Sequence, residues 1–123
     1  MTVTIYHNPA CSNSRGALAI LKEAQARDGF ALAVVEYLKT PPSRDALERL
    51  AAALAKDPAW PGIVGGMMRQ KEPLFAELGL GRAGDVALLD ALAAHPILLN
   101  RPIVTTPKGT RLCRPPELVR ALL

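Results

Sequence analysis

The chain of 123 residues is 50% hydrophobic and 4% aromatic, and it carries a formal net charge of +4. Its length suits one domain with a single core, and its hydrophobic content excludes an intrinsically disordered chain. Because acidic and basic residues are interspersed and aromatic rings are few, the composition argues against nucleic-acid binding.

Cysteine usage and hydropathy indicate a cytoplasmic protein. The chain has two cysteines, too few for a disulfide framework, and its start lacks the charged and apolar regions of a signal peptide. No apolar run approaches the roughly 18 residues that a membrane span requires. We therefore expect reduced thiols and no membrane association.

The first 40 residues predict a strand, a helix and a second strand. Residues 2–6 alternate in polarity, as strands do, and apolar residues at helical spacing follow from Ser14 to about Gln25. Asp28-Gly29 ends that helix, and residues 30–38 contain the next β-like run. This order predicts a βαβ unit with two parallel strands and a right-handed crossover.

The middle of the chain reads as helical. Ser43 is the predicted N-cap of a helix that extends through Leu54. Residues 57–66 are rich in glycine and proline and interrupt the pattern. Pro73 is predicted to begin a short helix, and Asp85 to cap another.

The last part of the chain returns to β structure. Residues 103–105 and 110–112 flank Thr106-Pro107-Lys108-Gly109, a sequence that fits a type I turn and predicts a hairpin. Pro115-Pro116-Glu117 is predicted to start a final helix. The order β-α-β, a helical insertion at about 43–95, then β-β-α predicts one α/β domain over residues 1–123, with a central mixed sheet and a thioredoxin-like fold.

Cys11 is the main candidate for a reactive group. It lies where the first strand passes into the first helix, and a helix N-terminus stabilises a thiolate. His7 and Arg15 are expected to add positive charge nearby. Ser14 is expected to donate a hydrogen bond toward the sulfur, or else to serve only as a residue of the first helical turn.

Spacing argues against three familiar kinds of cysteine site. A dithiol oxidoreductase requires Cys-x-x-Cys, but Ser14 occupies the second position. A tyrosine-phosphatase loop requires arginine six positions after the cysteine, where this chain has Ala17. The histidines and cysteines have no zinc-ligand spacing, so no bound metal is expected.

Three arginines are candidates for binding an anion beside the thiolate. Arg69 follows two methionines, Arg101 precedes a proline at the entry to the hairpin, and Arg114 lies just beyond the second strand of the hairpin. A guanidinium group presents a fork of donors that matches two oxygens of a tetrahedral anion. Taken singly, each arginine also fits a solvated surface charge.

Four separated segments carry a family resemblance over nearly the whole chain. They are Ile5–Cys11 with Ser14-Arg15, Tyr37–Pro42, His95–Leu98 with Asn100–Val104, and Gly109–Pro115. Together they closely resemble the glutaredoxin-linked ArsC-type arsenate reductases. The resemblance implies a nucleophilic Cys11 and anion-binding Arg69, Arg101 and Arg114.

The same resemblance implies further details of the site and its chemistry. His7 matches the histidine that favours the thiolate in the family, and Arg101-Pro102 is expected to be a cis peptide. The implied reaction reduces arsenate to arsenite through a covalent Cys11–arsenate intermediate. Glutathione is the implied co-substrate and glutaredoxin the implied partner, with no bound cofactor.

Two alternatives keep the fold and change the function. A regulatory protein similar to Spx, which binds RNA polymerase, usually carries Cys-x-x-Cys, and Ser14 argues against it. A glutathione-dependent thiol transferase acting on an organic substrate has no use for three arginines. The residues therefore favour an inorganic oxyanion as the substrate.

Overall fold

The computed structural model describes residues 1–60 and 64–123. Its contacts define two compact units, Met1–Thr40 with Arg101–Leu123, and Pro41–Asn100. Positions 61–63, which belong to the predicted interruption at 57–66, lie outside the described residues. No helix in the described ranges combines the length and apolar character required to cross a membrane.

The first unit is built on a four-stranded mixed sheet. Its strands are β1 (Thr2–His7), β2 (Ala31–Glu36), β3 (Ile103–Thr106) and β4 (Gly109–Leu112), in the order β2-β1-β3-β4. β1 pairs in parallel with β2 and antiparallel with β3, and β3 forms an antiparallel hairpin with β4. The predicted βαβ unit, hairpin and mixed sheet are therefore confirmed.

Helix α1 (Ser12–Asp28) connects the two parallel strands and supplies much of the core. It ends where predicted, at Gly29, whose φ of 77° is the left-handed conformation that glycine adopts readily. The helix begins two residues earlier than the apolar pattern indicated, because polar residues fill its first turn. Its buried face packs with alternate residues of β1 and with the C-terminal segment, in a cluster formed by Val3, Ile5, Ala17, Leu21, Ala24, Phe30, Val104, Cys113, Val119 and Leu122.

The predicted final helix is a 3₁₀ helix, Pro116–Leu122, rather than an α-helix. It packs against α1 so closely that a Cβ atom on Gly16 would lie 3.0 Å from Cγ of Pro116. The Thr106 hydroxyl donates a hydrogen bond of 2.7 Å to the carbonyl of Leu122. These contacts attach the end of the chain to both the helix and the hairpin.

The second unit is helical, as predicted. It contains α2 (Arg44–Leu54), α3 (Pro73–Glu77) and α4 (Asp85–Ala94), with 3₁₀ helices at Val64–Met67, Leu80–Arg82 and Pro96–Leu98. The Ser43 side chain accepts a hydrogen bond of 3.1 Å from the backbone N–H of Ala46, which confirms it as the N-cap of α2.

The predicted cap of α4 was wrong by one residue. Gly84 is the N-cap, and Asp85 is the first helical residue. An acidic residue in the first turn interacts favourably with the positive end of the helix, so the acidic signal marked the correct turn.

Candidate active site

Cys11 lies at the N-cap of α1, after a short loop that follows β1. Its backbone is extended, with φ −96° and ψ 124°, and its carbonyl accepts the first helical hydrogen bond, 2.9 Å from the N–H of Arg15. The N–H groups of the first helical turn have no partner within the helix, and no acidic side chain occupies that turn. The position therefore favours a negatively charged sulfur.

The pKa of the Cys11 thiol is lower than the ordinary value for cysteine. Burial raises this pKa, but four groups together lower it by more than burial raises it. They are the backbone N–H of Ser14, the Arg101 charge, the backbone N–H of Asn13 and the Arg114 guanidinium. The Cys11 side chain does not form a capping hydrogen bond of good geometry. The N–H groups of Ser14 and Asn13 therefore act on the sulfur as partial donors. The result is a buried thiol that ionises more readily than an ordinary cysteine.

Of the three candidate arginines, Arg114 contacts the sulfur and Arg101 acts on it through its charge. Nη1 of Arg114 is 3.8 Å from Sγ of Cys11 and donates a hydrogen bond of 3.0 Å to the carbonyl of Arg101. The Arg101-Pro102 peptide is cis, as expected, and Arg114-Pro115 is cis as well. The ends of the hairpin thus bring two positive charges to the thiol from distant parts of the sequence.

His7 is buried at the end of β1 and contacts Ser14. Its Nδ1 and the Ser14 Oγ share a hydrogen bond of 2.6 Å. Burial lowers the His7 pKa below 6.5; Glu36 opposes this shift, while Lys22 and Arg15 add to it. Burial therefore favours the neutral ring, and stabilisation of the Cys11 thiolate by His7 stays a prediction.

Ser14 lies in the first turn of α1, one of the two roles expected for it from the sequence. Its hydroxyl is bonded to His7 and accepts a hydrogen bond of 3.0 Å from the backbone N–H of Asn8. Its backbone N–H, not its hydroxyl, is the group that lowers the Cys11 pKa. The Ser14 side chain therefore joins the loop to the helix, which was not anticipated from the sequence.

Arg15 is exposed and lies across the loop. Its Nη1 donates a hydrogen bond of 2.9 Å to the carbonyl of Pro9. Its charge helps to lower the pKa of His7 and so favours the neutral form of the ring. Stabilisation of the Cys11 thiolate by Arg15 stays a prediction.

Arg69 belongs to the helical unit, Pro41–Asn100. Its backbone N–H donates a hydrogen bond of 2.7 Å to the carbonyl of Leu98, and its Nη1 lies 3.6 Å from Oε2 of Glu72. Its predicted role in binding the anion stays a prediction.

Asn8 was missed as a candidate from the sequence. Its side chain is buried and accepts a hydrogen bond of 2.9 Å from the backbone N–H of Ala10, inside the loop that leads to Cys11. An asparagine before a proline is a known signal for the start of a turn, and Asn8-Pro9 carries that signal.

The second cysteine, Cys113, is fully buried in the main core cluster. Its thiol donates a weak hydrogen bond of 3.6 Å to the carbonyl of Arg111. These surroundings agree with the interpretation of Cys113 as a structural thiol.

The fold and the site together define a thioredoxin-like α/β protein with a thiol of lowered pKa, which Arg114 contacts and on which the charge of Arg101 acts. The model of the ArsC family matches residues 6–122, so the chain belongs to the ArsC family. Among the described residues, 1–60 and 64–123, no group of three or more His, Cys, Asp and Glu residues is placed to hold a metal ion.

Similar proteins support this assignment over the full chain. An arsenate reductase of Rhizobium meliloti is 52% identical, and the match covers 100% of this chain and 82% of the relative. An arsenate reductase of Escherichia coli strain K12 is 44% identical, with 98% of this chain and 80% of the relative covered. The solved structure of an arsenate reductase from Vibrio cholerae has a TM-score of 0.84 and 43% identity, and the match covers 100% of this chain and 98% of that one.

Proposed function

We propose that this protein is an arsenate reductase that converts arsenate to arsenite through a covalent bond between Cys11 and arsenic. The observation that carries the proposal is the 3.8 Å contact between the Arg114 guanidinium and the sulfur of a thiol whose pKa is lowered. A nucleophile and a donor for an oxyanion thus stand side by side. Relatives named arsenate reductase at 52% and 44% identity favour this reaction over the thiol-transferase and regulatory alternatives.

In the first step the Cys11 thiolate attacks arsenic. Two anions repel each other, and the charges of Arg101 and Arg114 offset that repulsion while holding the oxygens of arsenate. The S–As bond forms as one oxygen leaves as water, so arsenic stays As(V). Arg69 is proposed as a third anion-binding residue on the family resemblance alone.

The electrons come from external thiols, because Ser14 leaves no second cysteine at the loop. Glutathione displaces another oxygen of the adduct as water and forms a second S–As bond. The thiolate of glutaredoxin then attacks the glutathione sulfur and forms a mixed disulfide, and the electron pair of that S–As bond remains on arsenic. Arsenic becomes As(III), and hydrolysis of its bond to Cys11 releases arsenite and restores the thiol.

Glutathione and glutaredoxin are therefore the proposed reductants, and the reducing cytoplasm is the proposed compartment. No resident cofactor takes part in this scheme, because every electron is supplied by a thiol. His7 and Ser14 have no proposed contact with arsenate; they hold the loop and helix that carry Cys11.

The test is a coupled assay with arsenate, glutathione, glutaredoxin, glutathione reductase and NADPH. We expect arsenate-dependent NADPH loss with the wild type and none with Cys11→Ser. Cys113→Ala is the matched control, since it removes the other thiol, and we expect it to keep the activity. Equal rates for wild type and Cys11→Ser would overturn the proposal, whereas turnover of hydroxyethyl disulfide without arsenate turnover would favour a thiol transferase.

A further inference from the structure

We propose that the Asn8 side chain is a positioning residue that fixes Cys11 at the N-terminus of α1. The inference rests on the proposed function only in treating Cys11 as the nucleophile. Asn8 itself has no proposed contact with the substrate. It acts through the loop of residues 8–11.

Asn8 closes this loop with three hydrogen bonds. Its side-chain Oδ1 accepts from the N–H of Ala10 at 2.9 Å, and its carbonyl accepts from the N–H of Cys11 at 3.0 Å. Its own N–H donates to the Ser14 hydroxyl at 3.0 Å. One residue therefore connects the end of β1 to the loop, to the nucleophile and to the first turn of α1.

Only the first of these bonds depends on the side chain. Pro9 has no N–H, so the N–H of Ala10 is the first donor available after Asn8. An asparagine oxygen that accepts from the N–H two residues ahead mimics a backbone turn and fixes the direction of the chain. Asn8 exposes only 8% of its surface, so the bond is shielded from competing water.

The direction of this turn sets the position of the sulfur. The N–H groups of Ser14 and Asn13 act on Cys11 as partial donors, and Arg114 reaches its sulfur at 3.8 Å. Such marginal contacts weaken steeply with small displacements. If the loop is displaced at Ala10, the sulfur moves away from its donors. The thiolate is then less stabilised, although every donor group is still present.

The experiment compares Asn8→Ala with Asn8→Ser, a pair that differs by one oxygen atom. A serine hydroxyl can accept from the N–H two residues ahead, as the asparagine does, and an alanine cannot. The pKa of Cys11 is measured from the pH dependence of its alkylation by iodoacetamide, with the modified residue identified by mass spectrometry. Because no arsenate is present, failure here is distinguishable from failure of the proposed reaction.

We expect Asn8→Ala to raise the midpoint by about 0.5 to 1 in pH, the size that follows from losing one typical hydrogen bond. Asn8→Ser is expected to restore most of the difference. A midpoint equal to that of the wild type in Asn8→Ala would overturn the proposal, and so would equal midpoints in the two variants. A merely structural role predicts lower stability with no change in the midpoint.

Amide hydrogen exchange of the wild type provides a second measurement that requires no variant. We expect the N–H of Ala10 to be protected by its bond to Asn8. Free exchange at Ala10 would overturn the proposal even if Asn8→Ala did not fold.

Discussion

Arg114 reaches Cys11 across 103 positions of the sequence and places Nη1 3.8 Å from the sulfur. The same nitrogen donates to the carbonyl of Arg101 at 3.0 Å, which holds the guanidinium in place. Arg114 therefore links ionisation of the nucleophile to the proposed capture of an anion.

Replacement of Arg114 is expected to affect both properties. Arg114→Ala removes a charged hydrogen-bond donor, for which a loss of roughly 10- to 100-fold in kcat/KM for arsenate is expected. It is also expected to raise the pKa of Cys11, because one of the groups that lower it is gone. Steady-state kinetics and the pH profile of alkylation measure the two effects.

Arg120→Ala is the matched control for Arg114→Ala, since Arg120 is an exposed arginine of the same unit, on the C-terminal 3₁₀ helix. We expect it to leave both properties near the wild-type values. Equal kinetics in the two variants would show that Arg114 is an ordinary surface charge.

His7 is expected to make stability depend on pH in the acidic range. Its folded-state pKa lies below the ordinary value of 6.5, so below that pH the unfolded chain binds a proton that the folded chain excludes. The free energy of unfolding contributed by this group is complete above pH 6.5 and falls as the pH is lowered toward the folded-state pKa. Urea unfolding at a series of pH values measures the slope.

His7→Asn removes the titrating ring, and we expect the variant to have the flatter profile between pH 6.5 and 5. If the free energy of unfolding had the same slope against pH in wild type and variant, the lowered folded-state pKa of His7 would be contradicted. The comparison uses differences within each protein, so a general loss of stability in the variant does not affect it.

Ser14→Ala is expected to lower the free energy of unfolding by about 1 to 3 kcal/mol, because two buried groups lose a hydrogen-bond partner. They are the N–H of Asn8 at 3.0 Å and Nδ1 of His7 at 2.6 Å. Ser12→Ala is the control, because Ser12 is exposed in the same helical turn. Chemical denaturation that gives equal losses for the two variants would contradict the assigned role of the hydroxyl.

Gly16→Ala tests the close contact between α1 and the C-terminal 3₁₀ helix. An added Cβ would lie 3.0 Å from Pro116, and crowding of this kind costs about 1 to 3 kcal/mol. Alanine in a helix also gains about 1 kcal/mol over glycine, so we expect a small net loss of stability.

Gly81→Ala is the control for Gly16→Ala, because a Cβ there meets no atom within 4 Å. Its free energy of unfolding should change by no more than about 0.5 kcal/mol. Urea denaturation measures both variants. A clear gain of stability in Gly16→Ala would show that the C-terminal 3₁₀ helix can shift to accommodate the added Cβ atom.

Local patterns predicted the fold well where one physical signal dominated. The alternation of Val3 and Ile5, the serine cap at Ser43 and the turn around Pro107 each report short-range structure, and each predicted element was found. The cap of α4 was predicted one residue too late, because acidic residues are common both at the N-cap and in the first turn of a helix. Two prolines signalled a helical start near Pro116, but they did not distinguish 3₁₀ from α geometry.

The candidate site was harder to predict because its properties depend on burial and on long-range contacts. The sequence placed His7 near the thiol, but the lowering of its pKa depends on burial, which the sequence pattern does not report. The convergence of Arg101 and Arg114 depends on pairing between distant strands, so the sequence offered these arginines as candidates but did not show which of them meet. Backbone N–H groups, such as that of Ser14, carry no sequence signal of their own.

The sequestration of Cys113 has a practical consequence. Its side chain exposes 0% of its surface, whereas Cys11 exposes 9% at the end of a helix. A fluorescent dye or a spin label with a thiol-directed linker should therefore attach at a single place in the native chain. Such a label would sit at the proposed reaction centre and report on its surroundings without any engineered cysteine.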